Sequence, residues 1–141
     1  MGRGLVATTS VKINASTDKV WEALTNPKLI KKYMFGTEVI SDWHEGSVIL
    51  WKGIWEGKPY EDKGVILEKI PLKTLKVTHF SPLSGLPDKE ENYHILVYAL
   101  SQNGKGTVLS LSQDNNPDEA SRDHSQKNWE MMLENLKRTI E

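Results

Sequence analysis

The chain contains no cysteine, which excludes a disulfide framework, a thiolate nucleophile and any Cys-ligated metal. It also lacks an apolar run of the roughly 18 residues that a membrane span needs. The first residues have no apolar core of a signal peptide, and Val6 stands where a myristoylation signal requires Ser or Thr. Neither sign of charge dominates: the formal net charge is −1, which argues against nucleic acid, whose binders carry a basic surplus or patch. Patterns of the Gly-x-Ser-x-Gly, Gly-x-Gly-x-x-Gly and phosphate-loop kinds are missing. So are His-x-x-x-His pairs, carboxylate clusters and EF-hand spacing, and neither a metal nor a cofactor is expected. These absences leave a cytoplasmic protein without membrane insertion, one domain over residues 1–141.

What the sequence does have is an uninterrupted last stretch. Asn116-Pro117-Asp118-Glu119 reads as an N-cap, a proline at the first helical position and two acids in the first turn. Trp129, Met132, Leu133, Leu136 and Ile140 then recur at three-four spacing, one apolar stripe. A helix of about 25 residues would be about 37 Å long, enough to cross a small domain. Further upstream the same face carries Ser125 and Arg122, with Ser121 and Asn128 at its flank. The stripe therefore changes from apolar to polar. Either the first turns overhang into water, or the sheet curves away beneath them and leaves a cavity. His124 falls on the opposite side of the wheel and is expected in solvent.

Almost everything before that helix alternates like β-structure. Residues 5–14 form a first strand with Leu5, Ala7, Thr9, Val11 and Ile13 on one side. Ser16 and Asn26-Pro27 each offer a helix start, so two short helices follow in tandem, broken at the proline. Strands are expected at 37–40, 47–55, 60–70, 75–80, 93–100 and 107–113, with turn residues between them. No βαβ rhythm occurs, so the sheet is antiparallel. The fold class is α+β: strand, two helices, six strands and a long helix.

That order, and particular residues within it, resemble the START-like (SRPBCC) superfamily, also called the birch-pollen-allergen or helix-grip fold. The residues are Val11-x-Ile13-x-Ala15, Val20-Trp21-x-Ala23-Leu24-Thr25, Asn26-Pro27 and Tyr33 near the N-terminus. Gly46, Gly57-Lys58-x-Tyr60, Gly64-x-Ile66-x-Glu68, Gly106-Thr107-x-Leu109 and Trp129-x-x-x-Leu133-x-x-Leu136-Lys137 continue the match. The branch they are most similar to is that of the heat-shock-protein-90 ATPase activator homologues. Tyr33, where Trp is common, and Asn128, where Gly is common, depart from its pattern. The resemblance implies a curved sheet of about seven strands wrapped around the long helix, with a cavity between them.

Continuing the family's parity points Ile66, Glu68, Leu75, Val77, His79, Leu96, Tyr98, Leu100, Leu109, Leu111 and Gln113 inward. Trp51, Trp55, Tyr33 and Phe35 join them from the early strand and the second helix, and Arg122, Ser125 and Trp129 from the long helix. This set is mostly apolar with a few polar tips, which suits a small-molecule pocket but also a solid core. Glu68 would be costly among apolar neighbours unless paired, and Arg122 could meet it, or could meet a ligand carboxylate. His79 and His94 are candidate acid–base groups without a recognisable dyad, and no catalytic residue is assigned. The Gly- and Pro-rich loop at 81–89 and Phe35-Gly36 would flank the mouth.

The reading these residues favour is a binder of a hydrophobic or aromatic small molecule or lipid, a monomer or weak homodimer. Two alternatives remain. One is an enzyme resembling polyketide cyclases and aromatases, using Glu68, His79, Tyr98 and Arg122. The other, implied by the branch's name, is an interaction module with a chaperone partner.

Overall fold

The computed structural model describes residues 4–141, apart from the side chain of Trp55. Seven strands form a single antiparallel sheet: β1 (Leu5–Ile13), β2 (Glu38–Ser41), β3 (Val48–Trp55), β4 (Lys58–Ile70), β5 (Thr74–His79), β6 (His94–Asn103) and β7 (Gly106–Asn116). Their order across the sheet is β1-β7-β6-β5-β4-β3-β2, so only β1 lies beside a strand distant in sequence. Between β1 and β2 come α1 (Thr17–Thr25) and α2 (Pro27–Tyr33), and the chain ends in α3 (Glu119–Ile140). This is the helix-grip arrangement expected from the sequence.

The helix boundaries follow from capping. Ser16 caps α1 by accepting from the Lys19 amide at 3.2 Å, and Asn26 caps α2 by accepting from the Lys28 amide at 2.9 Å, with Pro27 at the first position. For α3 the cap is Asp118, which accepts from the Ser121 amide at 2.8 Å, and not Asn116 as the sequence suggested. Asn116 is still the last residue of β7, pairs with Leu5 of β1 and donates from its side-chain amide to the Leu5 carbonyl at 2.9 Å. Strand pairing thus delays the helix by two residues.

Under the C-terminal half of α3 the interior is solid. Met132, Leu133, Leu136 and Ile140 are buried against Ile13, Val20, Leu24, Ile30, Leu109 and Leu111. The helix end is pinned where the Glu141 carboxylate accepts from the Asn14 amide at 2.8 Å and Lys19 Nζ donates to the Ile140 carbonyl at 3.2 Å. Hydrophobic burial of about 1.5–3 kcal/mol per large side chain holds this half together.

The inward parity read from the sequence describes β5, β6 and β7 well. Leu75, Val77, Leu96, Leu109 and Leu111 are all buried. It fails at Glu68. A bulge between Ile66 and Glu68 shifts the β4–β5 register, so Ile66 pairs with Val77 but Glu68 with Lys76. Directly opposed residues share a face, and Lys76 alternates with the inward Leu75 and Val77. Glu68 therefore points to the convex side of the sheet.

Candidate functional site

Under the N-terminal half of α3 the sheet and helix part, and a pocket of about 320 Å³ opens between them. Its walls come from the turn after α2 (Met34, Phe35, Thr37), from β3 and β4 (Trp51, Tyr60, Asp62), from β5–β7 (His79, Leu96, Tyr98, Gln113) and from α3 (Ser125, Asn128, Trp129, Met132). Phe35, Ile54, His124 and Met131 form an exposed rim. Three of the chain's four methionines, soft and adaptable side chains, line this one space.

The rim is built under strain. After α2 the Gly36 amide reaches back to the Lys31 carbonyl at 2.9 Å, and both Phe35 (φ 54°) and Gly36 (φ 83°) take left-handed backbone. Glycine does this freely, whereas for Phe35 it costs on the order of 1–3 kcal/mol. The outcome is a phenyl ring held 64 % exposed at the mouth. Just inside, Thr37 Oγ1 donates to the Met34 carbonyl at 2.6 Å. A hydroxyl has one hydrogen, so Tyr60 must be the donor in its 2.6 Å bond to Thr37 Oγ1.

On the helix side Ser125 Oγ donates to Asn116 Oδ1 at 3.2 Å, and the Trp129 indole donates to Gln113 Oε1. Tyr98 rises from β6, and burial pushes its phenol well above the ordinary tyrosine range, so it stays a neutral hydroxyl.

Across the sheet floor Trp51, Asp62, His79 and His94 follow one another on β3, β4, β5 and β6. Trp51 pairs with Asp62 and His79 with His94. His79 Nε2 lies 2.9 Å from Asp62 Oδ2, Trp51 meets the His79 ring edge-on at 5.0 Å, and the two imidazoles stack at 6.3 Å. Among the described residues, Asp62 Oδ1 and His79 Nδ1 are buried with no hydrogen-bond partner.

Of the residues singled out from the sequence, Phe35, Trp51, His79, Leu96, Tyr98, Gln113, Ser125 and Trp129 border this pocket. Ile66, Val77 and Leu111 lie in the packed core. Tyr33 does too: its hydroxyl donates to the Ala23 carbonyl at 2.8 Å, and burial, helped by Tyr98, raises its pKa. The side chain of Trp55 lies outside the described residues. Glu68 is on the far face of the sheet, and Arg122 turns to Asp123 at 3.2 Å, so the two do not meet. Loop 81–89 contributes nothing to the lining. It is tied down instead by the Lys63–Asp88 ion pair.

Sequence reasoning passed over Thr37, Tyr60 and Asp62 as lining residues, and with them Met34, Ile54, Met131 and Met132; His124, expected in solvent, is exposed at the rim. A signal for Asp62 existed: Tyr60, Asp62, Gly64 and Ile66 share one parity. His124 reaches the rim through a 3.3 Å contact with the Asn128 side chain.

A larger groove of about 700 Å³ lies elsewhere, between the start of α1 and the β4–β5 and β6–β7 turns. It has no aromatic wall and is lined by a mixture of small and hydroxylic residues, Leu72 and Leu100, Gln102, and the charged Asp18, Lys73 and Lys105.

A curved antiparallel sheet gripping a long helix, with a partly apolar pocket under half of it, defines a START-like protein. Residues 14–141 match the family described as Activator of Hsp90 ATPase homolog 1-like protein, and the chain belongs to that family. It is similar to a Cytophaga hutchinsonii protein of known solution structure: 53 % identity, TM-score 0.85, covering 98 % of this chain and 94 % of that one. CalU16 from Micromonospora echinospora is similar at 25 % identity and TM-score 0.77, covering 96 % of this chain and 75 % of that one. The Aha1 dimer from Colwellia psychrerythraea shares the fold at 21 % identity and TM-score 0.77, covering 97 % and 96 %. No curated protein matches the chain. No helix among the described residues is long and apolar enough to cross a membrane.

Proposed function

We propose that this chain, as one START-like unit over residues 1–141 in the cytoplasm, binds a compact hydrophobic or aromatic small molecule in the pocket beneath α3. The observation that carries the reading is the wall of Trp51, Trp129, Tyr98 and three methionines around about 320 Å³, near the lower end of what small-molecule sites enclose. Such a volume suits fused rings better than a long acyl chain. Cyclase-like enzyme activity is a weaker alternative, because Glu68 and Arg122 sit apart from His79 and Tyr98. Native mass spectrometry of the purified protein, followed by denaturing extraction, tests the binding reading. A retained small mass supports it; a protein that stays empty through a screen of aromatics and lipids overturns it.

A second reading has its own observation. Phe35, Ile54 and Met131 expose 64 %, 72 % and 49 % of their surface around the mouth, and large apolar side chains clustered in the open mark contact surfaces. The family name and the dimeric Aha1 relative favour a chaperone partner or a weak homodimer. Sedimentation with and without a chaperone of the Hsp90 class tests this reading.

A further inference from the structure

The pocket has one chemical asymmetry. We propose that its ligand carries a hydrogen-bond-donating head, a hydroxyl or amine on an aromatic body, which is received by the Asp62–His79 pair. This inference rests on the binding reading above and names what is bound.

The argument begins with the proton between the two side chains. A carboxylate offers only lone pairs, so in the 2.9 Å contact the hydrogen belongs to His79 Nε2 and is donated to Asp62 Oδ2. With Nε2 protonated, a neutral imidazole leaves Nδ1 as a lone pair. Of the two atoms without partners, Asp62 Oδ1 is an acceptor whatever the ring carries, and His79 Nδ1 is one in the neutral ring. Buried polar groups in native proteins are nearly always paired, and two unpaired acceptors in one contact pair call for donors from outside the chain.

No neighbour among the described residues donates to either atom. Trp51 meets the pair through its ring, and the Trp129 indole N–H is committed to Gln113. Tyr60 gives its hydrogen to Thr37, and Ser125 gives its own to Asn116. Both Asp62 and His79 line the pocket, with side chains 17 % and 19 % exposed, while their two unpaired atoms are themselves buried. The terminal torsion of Asp is broad and soft, so a donor in the pocket can draw the carboxylate towards itself. The aromatic and methionine walls then hold the rest of the molecule.

Three probes of nearly one shape separate the possibilities: naphthol, which donates, methoxynaphthalene, which only accepts, and naphthalene, which does neither. Their affinities are measured by calorimetry or tryptophan quenching on the intact protein and on Asp62→Leu. Wild type should bind naphthol about tenfold or more tighter than methoxynaphthalene, the scale of one hydrogen bond to a charged group. In Asp62→Leu the ratio of naphthol to methoxynaphthalene affinity should fall towards one, whatever the change in naphthalene affinity; a ratio as large as in wild type overturns the assignment to Asp62. If that variant does not fold, the wild-type comparison decides alone. Equal binding of the three probes to wild type overturns the donor inference and leaves the pocket reading standing. Failure of all three, naphthalene included, overturns both.

Discussion

Trp129 of α3 donates its indole hydrogen to the side-chain oxygen of Gln113 on β7, where the solid half of the interior gives way to the open half. Gln113 is only 7 % exposed, so its oxygen depends on that donor. Trp129→Phe should destabilise the protein by about 1–3 kcal/mol, the cost of an orphaned buried acceptor. Adding Gln113→Leu should recover most of the loss. Urea unfolding of both variants measures this, and a Trp129→Phe midpoint equal to wild type would show that the bond contributes nothing.

Glu68 points to the convex side of the sheet, whereas Arg122 stands on α3 and pairs with Asp123. Stability changes from Glu68→Gln and Arg122→Gln should add within about 0.5 kcal/mol in a double-mutant cycle. A coupling of about 1 kcal/mol or more would place them together after all.

Gly64 of β4 lies directly against Thr78 of β5. A Cβ at this position would overlap the carbonyl oxygen of Thr78, a backbone atom that cannot step aside alone. Gly64→Ala should cost roughly 3 kcal/mol, at the upper end for overpacking. Thermal unfolding reads the loss, and a variant as stable as wild type would mean the two strands can separate freely here.

Acid should weaken the helix ends. The Ser121 amide holds the Asp118 carboxyl below its usual value, and the Asn14 amide, then Lys137, do the same for Glu141. A depressed folded pKa means a contribution fully present above the unfolded value, about 4, and lost as pH falls through the folded one. Stability should therefore decline below about pH 4. Asp118→Asn, which keeps the cap acceptor but binds no proton, should flatten that decline. Melting temperatures from neutral to strongly acidic pH test it; an unchanged acid limb would remove Asp118 from the account.

Filling the pocket should abolish binding without unfolding the core. Ser125 faces the open half, so Ser125→Phe should block naphthalene while leaving the stripe from Met132 to Ile140 intact. Probe titration checks binding and circular dichroism checks the helix. Undiminished binding would put the ligand elsewhere.

The local periodicities were legible from residues alone. The three-four spacing from Trp129 to Ile140 specified α3 and its buried face, because that pattern is a property of a single element. Asn-Pro and Ser signals placed α1 and α2 for the same reason. The inward direction of Leu75, Val77, Leu96 and Leu111, by contrast, was reached by continuing the parity of the family the chain resembles. Asp62 was equally accessible through its parity with Ile66, but between Glu61 and Lys63 it resembles a solvated charge. Glu68 could not have been placed: its direction depends on a bulge that β5 imposes through pairing. The two-residue delay of α3 depends likewise on β1 holding Asn116. Whether the polar upstream half of the stripe faced water or a pocket was decided only by the curvature of seven strands together. Periodicity is written in one segment at a time, whereas register, bulges and the space between layers exist only once distant segments meet.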